Sequence, residues 1–179
     1  MDQQDVLMSS KSEHWCTPGS ILQPTRRLAG GVIALDPCSN AFSTVCATTE
    51  LMAPMQDGLA VDWTQLASGG LTYVNFPYGR KSSPEWTNKI REEAEKGCEI
   101  LVLAPARTET KWFQKAVEDY QGTKVSAIFL SGRLKFIDGL TGKKSLTAAP
   151  FPSVLLYYGE RQYKFLTEFT SLGKYATFV

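Results

Sequence analysis

The stretch YVNFPY, residues 73–78, puts an amide, a proline and an aromatic ring within four positions, directly after an apolar run. Asn75 offers a carbonyl acceptor and two N–H donors, and Tyr78 offers a flat face with a polar tip. Pro77 fixes the turn and pushes Phe76 out of the helical region. The Asn75 oxygen and a main-chain carbonyl can then converge on one amino group while Tyr78 stacks on the ring that bears it. That is chemistry for gripping an exocyclic amine on a flat heterocycle. The plainer alternative is a strand-to-helix turn whose rings belong to the core.

A second candidate lies in ALDPCSN, residues 34–40, where an apolar run ends in Asp36. A carboxylate at a strand end can accept hydrogen bonds from a ligand's hydroxyl or ammonium groups, and the Pro37-Cys38-Ser39 turn brings backbone close to such a ligand. Asp36 capping its own turn is the alternative, since Asp favours such positions. No GxGxxG follows, so the usual dinucleotide fingerprint is missing. The four cysteines (Cys16, Cys38, Cys46, Cys98) form no CxxC pair and His14 is the one histidine, which argues against a zinc site. No His, Cys or Ser arrangement suggests nucleophilic catalysis, and His14 reads as a surface or hinge residue.

These positions need a scaffold. Four short, nearly continuous apolar runs, at 32–36, 71–75, 99–104 and 124–130, read as strands covered on both faces. Helical patterns lie around them. One runs from Pro18 to about Leu28 and stops at Gly30-Gly31. Another is capped by Ser83 with Pro84 at its first position; Trp86, Ile90 and Ala94 share a face, and Gly97 closes it. A third carries Trp112, Phe113, Ala116, Val117 and Tyr120 before Gly122. Strands alternating with helices predict a doubly wound, Rossmann-like α/β sheet, mostly parallel. Residues 133–136 and 151–159 have no helical pattern between them and predict a C-terminal antiparallel hairpin. Residues 1–13 are polar and read as a mobile segment, which leaves 14–179 as one domain. A net charge of +1 in 179 residues excludes a tail-like polycation, so any nucleic-acid contact must be local. Few cysteines, no leader pattern and no membrane-length apolar run point to the cytoplasm and away from a membrane.

Asn-x-Pro-Tyr after a strand, downstream of an acidic strand end, resembles the motif of amino-group methyltransferases that use S-adenosylmethionine. Further blocks resemble the phage-type DNA N6-adenine methyltransferases (Dam): HWCTPGSIL, ALDPCSN, DGLAVDW, LAPARTETKWF, GRLKF and APFPS, in that order across residues 14 to 158. Phe76 stands where that family usually has proline, which leaves the turn less pre-organised and keeps a weakly catalytic cofactor- or DNA-binding module as an alternative. Methylation of RNA or of a protein amide is the other alternative.

The resemblance implies a methyltransferase sheet without a large target-recognition domain, with double-stranded DNA as partner and no metal. A phage or prophage source is implied too. It implies Asn75, Phe76, Pro77 and Tyr78 as catalytic residues. The cofactor would meet Trp15, Thr17 and Pro18 at its methionine part, Asp36, Pro37 and Cys38 at its amino-acid and ribose portion, and Asp57 and Leu59 near its adenosine, with Asn75 alongside. Glu50 is a further candidate for the ribose, and Asp62 competes with Asp57. DNA phosphates would meet Arg80, Lys81 and Arg107, and Arg133, Lys135, Lys143 and Lys144 in the terminal hairpin; each is alternatively an ordinary solvated charge. Sequence choice would fall to short loops such as 137–149.

Overall fold

The computed structural model describes residues 15–118 and 124–178. The expected mobile segment 1–13, His14, Tyr120 and Gly122 lie outside the described residues.

Among the described residues there are nine strands: β1 (Trp15–Cys16), β2 (Leu35–Asp36), β3 (Thr49–Glu50), β4 (Thr72–Val74), β5 (Ile100–Pro105), β6 (Val125–Leu130), β7 (Ile137–Asp138), β8 (Ser153–Tyr158) and β9 (Gly173–Phe178). Seven of them form one mixed sheet in the order β3-β2-β4-β5-β8-β6-β9, and β1 pairs with β7 in a small separate ladder. β3, β2, β4 and β5 run parallel, whereas β8 is antiparallel to both its neighbours and β9 is antiparallel to β6. The carboxyl ends of β2, β4, β5 and β6 therefore share one edge of the sheet. β8 and β9 begin at that edge, since Ser153 pairs with Pro105 and Gly173 with Leu130.

The central strands are apolar on both faces because both faces are covered. Ile100, Val102 and Ala104 face a core built with Trp63, Trp86, Ile90 and Phe113. Those rings come from helices α2 (Trp63–Ala67), α3 (Ser82–Glu95) and α4 (Lys111–Val117). Leu101 and Leu103 face the opposite core with Ile21, Leu22, Phe165 and Phe169. These come from α1 (Gly19–Leu28) and α5 (Gln162–Phe169). The buried Glu93 carboxylate ties α3 to α2: it accepts from the Trp63 and Thr64 amides and pairs with Lys89 and Lys96. Burial alone would raise its pKa, but the hydrogen bonds from Lys89 and Lys96 win and hold it down at about 2.

Four expectations need correction. The first strand is short: only Leu35–Asp36 is β-strand, and Val32 is exposed just after Gly31 at φ +117°. Ser83 does not cap α3. It is buried within the first turn, its N–H donates to the Gly79 carbonyl, and the cap position is Lys81 without a side-chain bond. Pro84 is tolerated there because amides in the first turn have no intrahelical acceptor. The terminal hairpin is not formed. Residues 133–136 are not a strand, while 153–158 is drawn into the sheet centre, where its unbroken apolar run is buried on both faces between β5 and β6. The sheet is accordingly mixed. It is completed by α5 and β9, whose partly exposed residues gave no continuous apolar run to read.

Candidate active site

YVNFPY leaves the sheet at its carboxyl edge. β4 ends at Val74, and the next residues form an irregular turn into α3. Asn75 is half-buried beneath the β1 strap. Its Nδ2 donates to the Trp15 carbonyl and to Thr17 Oγ1, the latter at 3.2 Å. Its Oδ1 accepts the Tyr78 hydroxyl, which also reaches the Leu103 carbonyl at 3.2 Å. Burial pushes the Tyr78 phenol well above its ordinary pKa, so it stays protonated and acts as a donor. A side-chain amide has two donors and two acceptor sites. Both donors and one acceptor site are filled. Among the described residues a single lone pair remains free.

Phe76 turns its ring inward, 2% exposed, stacked on Trp86 at 6.3 Å and meeting Trp112 edge-on at 6.1 Å. Its main-chain oxygen meets no protein donor among the described residues. The Pro77 carbonyl is taken by the Ser82 hydroxyl at 2.7 Å. Tyr78 sits between two edge contacts, Phe76 at 5.6 Å and Phe151 at 5.5 Å. The sequence reasoning missed Phe151, although it lies within the APFPS block quoted for other reasons.

Five of the residues expected to meet a cofactor, Trp15, Thr17, Asp36, Cys38 and Asn75, line one narrow cleft beside this amide, joined by Cys16, Asn40, Ser43 and Val45. Asn40 and Ser43 carried no periodic signal and were not expected. Asp36 is 3% exposed; its carboxylate accepts from the Cys38 amide at 3.1 Å and from the Ser43 hydroxyl at 3.4 Å. Burial raises its pKa to about 7, with the Cys38 amide opposing and Glu50 adding to the rise. Asp36 thus shapes its own turn, as the plainer reading has it, and is a buried carboxyl with no cation beside it among the described residues. Burial also raises the Cys38 thiol well above its usual range.

Pro18, Pro37, Asp57 and Leu59 do not line the cleft. Pro18 is buried at the start of α1, where its carbonyl accepts from Ile21 and Leu22. Asp57 is exposed and spends Oδ1 on the Leu59 amide at 2.9 Å. Asp62 caps α2 at 2.8 Å. The tightest feature of this block is Gly58, where a Cβ would stand 1.9 Å from the Pro37 carbonyl oxygen. Only glycine lets the two turns touch. Glu50, paired in register with Asp36 at the next strand end, accepts from the Ala47 amide.

Arg80, Lys81, Arg107, Arg133, Lys135, Lys143 and Lys144 are all exposed. Arg80 and Lys81 follow β4, Arg107 follows β5 and Arg133 follows β6, so these four leave the same edge of the sheet. Lys143 and Lys144 lie in the turn that folds back on β7, which pairs with β1 beside Asn75. Among the described residues no group of three His, Cys, Asp or Glu could hold a metal ion, and no helix is long and apolar enough to cross a membrane.

Compared with known proteins, residues 4–174 match a family model described as DNA N-6-adenine-methyltransferase (Dam). No curated protein matches the chain.

Proposed function

From a chain that belongs to the DNA N-6-adenine-methyltransferase (Dam) family, we infer an enzyme that methylates N6 of an adenine flipped out of duplex DNA, with S-adenosylmethionine as donor. The mixed α/β fold is compatible with a methyltransferase. The observation that carries the reading is the pair of free acceptors at the end of β4, the second lone pair of Asn75 Oδ1 and the Phe76 carbonyl oxygen. An adenine amine has two hydrogens to give. Accepting both moves electron density onto N6, and the Tyr78 ring offers a face for the extruded base, offsetting part of the few kcal/mol that flipping costs. No strong base is required, because orientation and electrostatics suffice for an amine meeting a cationic methyl donor.

The cleft residues fit that donor. A buried carboxyl at about 7 with no counter-charge, and a buried Ser39 hydroxyl in the same turn without a partner, suit a ligand carrying ammonium and hydroxyl groups. When bound, the cofactor supplies an electrophilic sulfonium methyl group. Asp36 would hold its amino-acid portion and the Cys38 backbone would line it. Asp36→Ala is expected to cost about 1–3 kcal/mol of cofactor affinity while the fold survives. A cationic ligand favours the ionised carboxylate, so binding releases a proton and affinity weakens as pH falls through about 7. Calorimetry in buffers of different ionisation enthalpy measures both. Unchanged affinity in a folded variant removes Asp36 from the site.

The exposed cations after β4, β5 and β6 fit a phosphate track along the same edge. Neutralising Arg80 and Lys81 together is expected to reduce the slope of log affinity against log salt by about two. A constant slope would mean that the DNA runs elsewhere. The reading as a whole is tested by offering tritium-labelled S-adenosylmethionine with duplex DNA, RNA and a protein acceptor side by side. Label recovered as N6-methyladenine in DNA supports it; label confined to RNA or to a glutamine amide replaces it.

A further inference from the structure

The resemblance assigns Thr17 to the cofactor, but the geometry points to a different duty. Residues 15–17 form a strap bonded on two sides. On one side the Cys16 thiol donates to Asn40 Oδ1 at 3.2 Å, and the Thr44 hydroxyl donates to the Thr17 carbonyl at 3.0 Å. That loop also carries Ser43 onto Asp36. On the other side the strap receives the Asn75 amide through the Trp15 carbonyl and Thr17 Oγ1. Thr17 Oγ1 in turn shares a 2.8 Å hydrogen bond with the Tyr73 hydroxyl. Thr17 is 1% exposed and Tyr73 0% exposed, so water does not replace these partners.

The Trp15 carbonyl can only accept, which makes the atom facing it the amide nitrogen and sends Oδ1 the other way. Thr17 Oγ1 takes the second N–H and so fixes the tilt of the amide plane. Tyr73, in β4 two residues before Asn75, holds that hydroxyl in place. Without the Thr17 oxygen one amide N–H has no acceptor, and a rocking amide presents its oxygen to the acceptor amine only part of the time.

We propose that Thr17 and Tyr73 are positioning residues: the hydrogen-bonded chain Tyr73–Thr17–Asn75 holds the carboxamide with its oxygen turned toward the methyl-accepting amine. The proposal rests on the reading of Asn75 as the group that meets that amine. It makes the strap a physical link between the cofactor-side loop 40–44 and the catalytic amide.

The test separates rate from affinity, using the full chain. Thr17→Val is expected to lower the single-turnover rate constant by about tenfold or more at saturating cofactor and DNA, the scale on which misplaced groups cost rate. Tyr73→Phe, at a side chain that does not line the cleft, should leave the cofactor and DNA dissociation constants within about twofold. Thr17→Ser keeps the oxygen and should restore most of the rate. Tyr73→Phe deletes one oxygen at nearly constant volume and should lower the same rate constant about threefold or more. If Thr17→Val does not fold, Tyr73→Phe and Thr17→Ser decide alone. Weakened cofactor affinity with an unchanged saturating rate would make Thr17 a cofactor contact and overturn the proposal; unchanged rates in Thr17→Val and Tyr73→Phe would overturn it too. If the wild-type chain transfers no methyl group to DNA, the proposed function has failed separately. The chain is then read by hydrogen exchange at the Asn75 side-chain amide. Protection in the wild type that is lost in Thr17→Val supports the hydrogen-bonded chain, and equal exchange in both overturns it.

Discussion

Asn75→Ala lowers the single-turnover rate of methyl transfer to adenine by at least about a hundredfold, the scale of losing one aligned hydrogen-bonding group at a reacting centre. The structure makes the reason specific. The amide's two donors and one acceptor site are already occupied, so its remaining function is to accept one more hydrogen bond. Alanine removes that acceptor and leaves the Tyr78 hydroxyl to rely on the Leu103 carbonyl. Cofactor affinity should hardly change, because Asp36 and the Cys38 turn remain. Tyr78→Ala affects a different step: it removes a stacking platform worth roughly 1–3 kcal/mol and should weaken capture of the flipped base, read by 2-aminopurine fluorescence. Tyr78→Phe keeps the face and releases Oδ1, so most of the activity should persist. If Asn75→Ala methylates adenine at the wild-type rate, YVNFPY is only a turn.

Much of this site was legible because strand ends announce themselves. Asp36 and Asn75 each stop an apolar run, and a polar group at such a place has to be turned toward something. The burial of β5 on both faces was equally legible, since ILVLA has no polar residue to send to solvent. Other features were hidden for physical reasons. A six-residue apolar strand reads the same whether it sits beside its sequence neighbour or two strands away, so β8 looked like half of a hairpin. α5 buries only Phe165 and Phe169, too few to set a helical period against its exposed Tyr163. The duties of Thr17 and Tyr73 depend on hydrogen bonds across 56 and 58 residues of chain, which no local spacing encodes. Gly58 was read as part of a motif, but its reason is a backbone approach to Pro37 that only the fold displays.

Phe76→Pro is the substitution on which sequence and structure part company. By sequence, restoring the family's usual proline should leave activity equal or higher, provided Phe76 packs in no way that proline cannot match. The structure fails that condition. The Phe76 ring is 2% exposed and lies parallel to Trp86, 10° between planes, with Trp112 and Tyr78 edge-on around it. Trp86 in turn leans on Trp63 at 6.0 Å, so the ring belongs to a run of aromatics joining the turn to α2, α3 and α4. Truncating a buried phenylalanine to alanine costs about 3–5 kcal/mol. Proline returns two carbons of that volume, and a stiffer turn gains about 0.4–1 kcal/mol through the unfolded chain. Packing wins by a clear margin. The expected result is a loss of about 2–4 kcal/mol in unfolding free energy, read as a lower urea midpoint at unchanged slope. The rate per folded molecule should stay within a few-fold, because a proline carbonyl at position 76 accepts as phenylalanine's does. Phe76→Leu, which keeps more apolar volume, should fall between the two. On this account phenylalanine fixes the turn through its ring, as proline would through its backbone, and the departure from the family pattern is not evidence of a lost activity. A Phe76→Pro variant with the wild-type urea midpoint would show that the aromatic run does not hold the turn, and the stiffness of proline would then decide the outcome.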